Sequence, residues 1–144
     1  MINKSKNLLS DLEQIVNASI DPAMFPYKKG NSIRVGKYAV RTTRHGHKIF
    51  DCESNCMIAE TFSKTAALAL AKSSSQEHSN ARSMDVILNV DKCIQKWYND
   101  CVFYRNTMTK SSDPIRSGVA ATRYDIARTE TEQARRQLDK YIYS

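Results

Sequence analysis

Seven apolar or aromatic residues in the second half of this 144-residue chain recur at alternating intervals of three and four. They are Ile87, Val90, Ile94, Trp97, Cys101, Tyr104 and Met108. Intervals of three and four place side chains along one stripe of an α-helix, as in helix–helix packing seams. The pattern therefore predicts a long helix over residues 84–109 whose stripe packs against another helix.

A second long helix is predicted directly after the first. The stretch "TKSSDP" breaks the chain, with Asp113 as the N-cap and Pro114 as the first helical residue. Over residues 114–143 the seam is smaller and consists of Ala120, Tyr124, Ala127, Thr131, Ala134, Leu138 and Tyr141. Small residues allow close approach, and so short a connection predicts an antiparallel helical hairpin.

Residues 32–62 are predicted to form an antiparallel sheet, because three turn signals separate short β-type runs. Gly36-Lys37 suits a two-residue type II′ turn. Two three-residue loops are expected at 44–46 and 53–55, with Gly46 and Asn55 in left-handed conformations. The three registers agree on one buried apolar row, which consists of Ile33, Val40, Phe50 and Ile58. They also place Ile49 on the opposite face and Cys52 opposite Cys56.

The remaining segments complete an α+β fold. Residues 4–19 have the apolar spacing of an amphipathic helix, and Ser63 can cap the alanine-rich helix that follows the sheet. We expect an N-terminal helix, a three- or four-stranded antiparallel sheet with a covering helix, and the C-terminal antiparallel helical hairpin. The predicted segments are 1–31 (N-terminal helix and linker), 32–76 (sheet plus helix) and 77–144 (linker and hairpin).

The net charge of +7 is concentrated in one segment of the chain. Residues 28–72 contain nine lysines and arginines against three acidic residues, a net charge of +6. Such an excess suggests an anionic partner, nucleic acid first, although a merely soluble basic surface or protected sheet edges would give the same composition. The candidate nucleic-acid-binding residues, on the outer sheet face, its turns and the adjoining strand, are Arg34, Lys37, Arg41, Arg44 and His47.

The stretch "RHGHKIFDCESNC", residues 44–56, carries two histidines and two cysteines, which raises the question of a metal site. In the predicted register His47 and Cys52 lie at opposite ends of one strand, roughly 17 Å apart. A zinc ion needs all its ligands within about 2.3 Å, so we expect no metal and reduced cysteines. No catalytic or phosphate-loop motif occurs, and we expect a non-enzymatic protein without a cofactor.

The first long helix has more apolar surface than its partner seam can cover, because Tyr98, Val102 and Phe103 lie beside the seam. The N-terminal helix could cover the excess within one chain, or a second copy of the hairpin could cover it between chains. We favour a homodimer built as a four-helix bundle. The candidate association residues are Trp97, Tyr98, Cys101, Tyr104 and Met108.

The N-terminus lacks the apolar core of a signal peptide, and no run of 18 apolar residues suggests a membrane span. We therefore expect a cytoplasmic protein with no membrane partner.

Two resemblances extend this interpretation. Three strands followed by a helix ending in "ETFSKTAALALAKS" resemble the AP2-type DNA-binding domain over about 40 residues, which implies DNA contacts from Arg34, Arg41 and Arg44. The stretch "KYAVRTTRHGHKIFDCESNCMIAETFSKTAALALAKS" resembles small uncharacterised proteins of tailed marine, cyanophage-type bacteriophages. That resemblance implies a phage setting, in the host cytoplasm or the virion.

The sequence thus predicts a basic accessory protein that binds nucleic acid through its sheet and self-associates through its helices. The alternative is a phage structural or assembly protein whose basic face contacts an acidic protein. Nucleic-acid binding should weaken steeply with salt, whereas association with a protein should depend on apolar helix positions.

Overall fold

The structure, a computed structural model, describes residues 10–14, 26–75 and 81–143. One antiparallel sheet has its strands in chain order: β1 (Tyr27–Lys29), β2 (Ser32–Val35), β3 (Tyr38–Thr43), β4 (Gly46–Asp51) and β5 (Met57–Thr61). The helices are α1 (described over residues 10–14), α2 (Lys64–Ser75), α3 (Ala81–Lys110) and α4 (Pro114–Tyr143). The predicted α+β class is confirmed. The sheet has five strands rather than three or four, because β1 lies in the segment expected to be a linker. The rest of the predicted helix 4–19 lies outside the described residues.

Helix α2 lies at the centre of the molecule, between the sheet and the hairpin of α3 and α4. Its residues from Ala66 to Ser73 are all buried, as expected for a helix with neighbours on several sides. Alanine at four of these eight positions lets the neighbours approach closely. A single core cluster joins Leu12 of α1, the inner face of the sheet, α2 and the hairpin.

Both ends of α2 are fixed by polar contacts that the sequence pattern does not reveal. Asp91 of α3 accepts hydrogen bonds from the backbone N–H groups of Phe62 and Ser63, both at 2.8 Å. At the other end the Ser75 hydroxyl donates to the Val35 carbonyl at 3.0 Å and accepts the Lys37 N–H at 3.1 Å. Desolvation raises the pKa of Asp91, although its two backbone hydrogen bonds act in the opposite direction.

Lys72 connects the centre of the molecule to the end of α4. Its side chain is fully buried, and its Nζ donates to the carbonyl oxygens of Tyr141 at 2.6 Å and Ile142 at 3.4 Å. The last carbonyl groups of a helix lack intrahelical donors and carry partial negative charge, so a buried ammonium group stabilises them. Lys72, the charged residue in the buried part of α2, therefore has a structural partner.

The helical hairpin has the seams that the spacing predicts. Six of the seven predicted α4 positions are buried, and Tyr124 is half-buried. On α3 the first four positions are buried and the last three are half-buried, so the packing loosens toward the turn. Asp113 caps α4 as expected, because its carboxylate accepts the Ile115 N–H at 3.0 Å.

The predicted register of β3 and β4 is wrong by one residue. The turn contains two residues, Arg44 and His45, so Thr43 lies opposite Gly46 and Val40 lies opposite Ile49. Side chains alternate between the two faces of a strand, so this shift exchanges the faces of every residue in β4. Ile49 is fully buried on the inner face, and Phe50 lies half-buried on the outer face.

The hairpin of β4 and β5 corrects a second prediction. A β-bulge follows Ile49, so that Ile49 lies opposite Ala59 and Phe50 lies opposite Met57. Residues 52–56 form the connection, so Cys52 and Cys56 are not a strand pair, although Asn55 has the predicted left-handed φ of 58°. The apolar row is therefore Ile33, Val40, Ile49 and Ala59, and Ile58 is 40% exposed.

Candidate nucleic-acid interface

The two faces of the sheet have different surroundings. Helix α2 packs on the inner face of β2 to β5. No element in the described parts of the chain covers the outer face. Its composition can be read from the strand register, because residues opposite one another lie on the same face.

One row across the outer face is basic. From β1 to β5 it runs Lys29, Ser32, Arg41, Lys48 and Glu60. Arg41 and Lys48 are directly opposite one another, and like charges in this arrangement destabilise a sheet unless a counter-charge is near. Glu60 is opposite Lys48 on the other side and supplies the one acidic group of the row.

The neighbouring row is largely aromatic and apolar. From β1 to β5 it runs Tyr27, Arg34, Ala39, Phe50 and Met57. Tyr27 is 55% exposed and Met57 is 50% exposed, so both ends of this row are open to a partner. The two rows are separated by two residues along β1 to β4, a distance of about 7 Å, and by three residues along β5, where the bulge lies.

Contacts within and between the rows hold their larger side chains in place. The Arg41 guanidinium lies over the Phe50 ring at 5.0 Å from its centroid, a cation–π contact. Arg34 donates to the Cys52 sulfur at 2.7 Å, beside Phe50. Ala39, between Arg34 and Phe50, is only 4% exposed, so the larger neighbours cover the centre of the strip. The outer face therefore presents planar and cationic groups side by side.

The five sequence-predicted binding residues are distributed over three locations. Arg34 and Arg41 lie together on the outer face, whereas Lys37 and Arg44 occupy the turns at opposite ends of β3 and are exposed. His47 was expected on the outer face, and this prediction is wrong because the one-residue shift moves it to the inner face.

His47 has inner-face partners. Its Nδ1 lies 2.9 Å from the Thr42 hydroxyl, its strand partner. Desolvation, with a smaller contribution from the positive charge of Lys64, lowers the pKa of His47, and Asp91 opposes the shift. His47 belongs to the polar edge of the core and adds no charge to the outer face at neutral pH.

Sequence reasoning missed four residues of the outer face, namely Tyr27, Lys29, Lys48 and Phe50. Lys48 was missed because the predicted register placed it on the same face as Phe50, which was expected to be the inner face. Phe50 was assigned to the core because the predicted three-residue turn placed this large apolar side chain in the buried row. Tyr27 and Lys29 were missed because Pro26 and Gly30 flank them, and three residues give no periodicity.

A second candidate surface lies on the hairpin, in a groove of about 540 Å³ between α3 and α4. Trp97 and Tyr104 line one wall, and Val119 and Ile126 line the other. Val119 and Ile126 are 51% and 56% exposed, so much of this wall is apolar and uncovered. Two basic and two acidic residues surround the apolar floor, namely Lys96, Asp100, Arg123 and Glu130.

The five predicted association residues do not form one patch. Trp97 and Tyr104 line the groove, and Arg123 donates to the Tyr104 hydroxyl at 3.4 Å. Cys101 points toward the Tyr124 carbonyl at 4.0 Å, between the two helices. Tyr98 instead lies against the Phe62 ring, with the ring centroids 5.5 Å apart. The remaining residue, Met108, is half-buried near the turn of the hairpin.

The cysteines of the described part of the chain are scattered over the sheet connection and α3. All four cysteines are free thiols, and burial raises the pKa of Cys93 and Cys101. Among the described residues no three histidine, cysteine or acidic side chains lie close enough together to hold an ion.

Comparisons with protein-family models, with curated proteins and with solved structures each found no match for this chain. None of the helices in the described residues combines the length and the hydropathy needed to cross a membrane. Function therefore has to be inferred from the residues and their geometry.

Proposed function

We propose that this chain is a non-enzymatic accessory protein that binds nucleic acid through the outer face of its sheet. The observation that carries the proposal is the open face itself, where Lys29, Arg34, Arg41 and Lys48 are opposed by a single acidic residue, Glu60. A phosphate backbone supplies repeated negative charges that can neutralise such a surface.

The central pair of cations favours an anionic partner in particular. Arg41 and Lys48 repel one another across the strands, and a bound phosphate between them would convert this repulsion into two attractions. The turn residues Lys37 and Arg44 extend the positive charge beyond both ends of β3. Phosphate contacts of this kind position a nucleic acid without reading its sequence, so we expect little sequence preference.

Self-association through the hairpin groove is the second part of the proposal. The groove residues carry two positive and two negative charges around an apolar floor, and a two-fold interface needs such self-complementarity. A second hairpin seated in the groove would form a four-helix bundle and cover Val119 and Ile126. A dimer would also place two basic sheet faces on one particle, which raises the avidity for a long nucleic acid.

Fluorescence anisotropy with a labelled oligonucleotide, titrated at several salt concentrations, tests the sheet proposal. For the wild type, log Kd should rise linearly with log salt, because binding releases counterions. The double substitution Arg41→Gln with Lys48→Gln should weaken binding and reduce the slope by about 1 to 2.

A matched control has the same loss of charge at a distant place. Lys110 and Arg116 are exposed near the turn of the hairpin, so Lys110→Gln with Arg116→Gln should leave the slope close to that of the wild type. Equal effects from the two double variants would show a non-specific charge effect and contradict a sheet interface. Absence of oligonucleotide binding at low salt, with retained binding of an acidic protein, would favour the assembly-protein alternative.

A further inference from the structure

We propose that the nucleic acid held on the outer sheet face is single-stranded, with bases stacked on the aromatic row beside the basic row. This inference rests on the proposed function and names the form of nucleic acid that the site takes. Its basis is the pairing of two unlike rows. One row contains three cations, and the other contains planar and apolar groups and is exposed at its two ends, Tyr27 and Met57.

The apolar row favours a single strand over a duplex as the ligand. A duplex presents phosphates and sugars on its surface and buries the faces of its bases in the stack. Tyr27 and Met57 would then be placed against a charged backbone and gain little. In a single strand the base faces are free, and stacking on aromatic side chains is a main source of affinity.

The geometry of the two rows fits the two chemical parts of a nucleotide. The rows are about 7 Å apart along β3 and β4, so phosphates near Arg41 and Lys48 leave their bases within reach of the neighbouring row. Phe50 is held by the Arg41 guanidinium on one side, and Tyr27 lies three strands away, at about 14 Å. One extended nucleic-acid strand that crosses the sheet could therefore contact both rings.

Stacking is independent of base identity, because every base has two flat faces. The inferred ligand is therefore any single strand, with a preference set by stacking strength rather than by hydrogen bonds to base edges. Arg34, whose guanidinium is partly buried and oriented by the Cys52 sulfur, provides a further planar cation in the same row.

The test compares a single-stranded oligonucleotide of mixed sequence with a blunt duplex of the same sequence, at one moderate salt concentration. We expect at least tenfold tighter binding of the single strand. Phe50→Leu and Tyr27→Leu remove a ring but keep apolar bulk, and each should weaken single-strand binding about five- to tenfold while leaving the salt slope unchanged. Circular dichroism melting confirms that the Phe50→Leu protein is folded under the assay conditions.

Phe103→Leu is the matched control, because Phe103 is 61% exposed on the hairpin and lies away from the sheet. It should bind like the wild type. Equal or tighter duplex binding, with no effect of Phe50→Leu or Tyr27→Leu, would overturn the stacking inference but leave the salt-dependent sheet interface intact. Loss of all oligonucleotide binding in the wild type would overturn the proposed function together with this inference.

Discussion

Ile49 and Phe50 are neighbours in β4 with different environments. Ile49 is fully buried between the sheet and the core, whereas Phe50 lies half-buried beneath Arg41 on the outer face. At this scale the smaller apolar side chain belongs to the core, and the proposed binding face carries the larger ring. The contribution of each residue to folding and to binding should therefore be separable.

Substitution of each residue by alanine tests this assignment. Ile49→Ala removes a fully buried side chain and should lower the free energy of unfolding by about 2–4 kcal/mol. Phe50→Ala should lower it by about 1 kcal/mol, because the half-buried ring lies outside the core cluster and one cation–π contact is lost. Urea denaturation of both variants provides the measurement. A larger loss for Phe50→Ala would restore the register in which Phe50 is a core residue.

At the scale of elements, the two long helices and the register of β2 with β3 could be predicted from the sequence, whereas the register of β3 with β4 could not. A stripe of seven residues at intervals of three and four fixes the face of α3 whatever its neighbours are. In "TTRHGH", by contrast, two- and three-residue turns both place Gly46 near the end of the loop. The choice between them depends on what β4 packs against. The same limitation applies to the outer sheet face, because the predicted three-residue turn placed Phe50 inside and His47 outside.

Gly46 and Gly118 provide a test of the backbone at this scale. Gly46 has a φ of 138°, and an added Cβ would lie 3.0 Å from the Thr61 carbonyl oxygen. Gly46→Ala should therefore lower the free energy of unfolding by about 1–3 kcal/mol. Gly118 lies in exposed α4 with no atom within 4 Å of an added Cβ, so Gly118→Ala should raise it by about 1 kcal/mol. Thermal melting of both variants would show shifts of opposite sign, and a stabilised Gly46→Ala protein would contradict the turn.

At the scale of the whole molecule, the sheet and the hairpin present different surfaces at opposite sides of α2. The outer sheet face carries a basic row beside an aromatic and apolar row, whereas the hairpin groove is apolar with balanced charges. In the proposed function the sheet binds an extended anion and the hairpin groove holds two chains together. The location of the groove followed only in part from the sequence, because Tyr98 packs on Phe62 outside the hairpin and Cys101 lies between the two helices.

Light scattering tests the second surface. The wild type at tens of micromolar should have twice the 16.4 kDa mass of one chain. Ile126→Lys places a charge in the groove and should give the monomer mass, because burying an unpaired charge is costly. Ile115→Lys is the control, since Ile115 is 79% exposed and does not line the groove. A wild type that is monomeric at this concentration would contradict the dimer.

The central claim is that nucleic acid binds the outer face of the sheet, and side-chain methyl NMR during an oligonucleotide titration tests it most directly. Met57 and Ile49 lie on adjacent strands but on opposite faces, so one pair of methyl signals separates the two faces. We expect the Met57 methyl signal to shift progressively to saturation while the Ile49 methyl signals stay in place. Shifts confined to the hairpin methyl groups of Ile115 and Ile126, with the Met57 signal unmoved, would contradict the proposed interface.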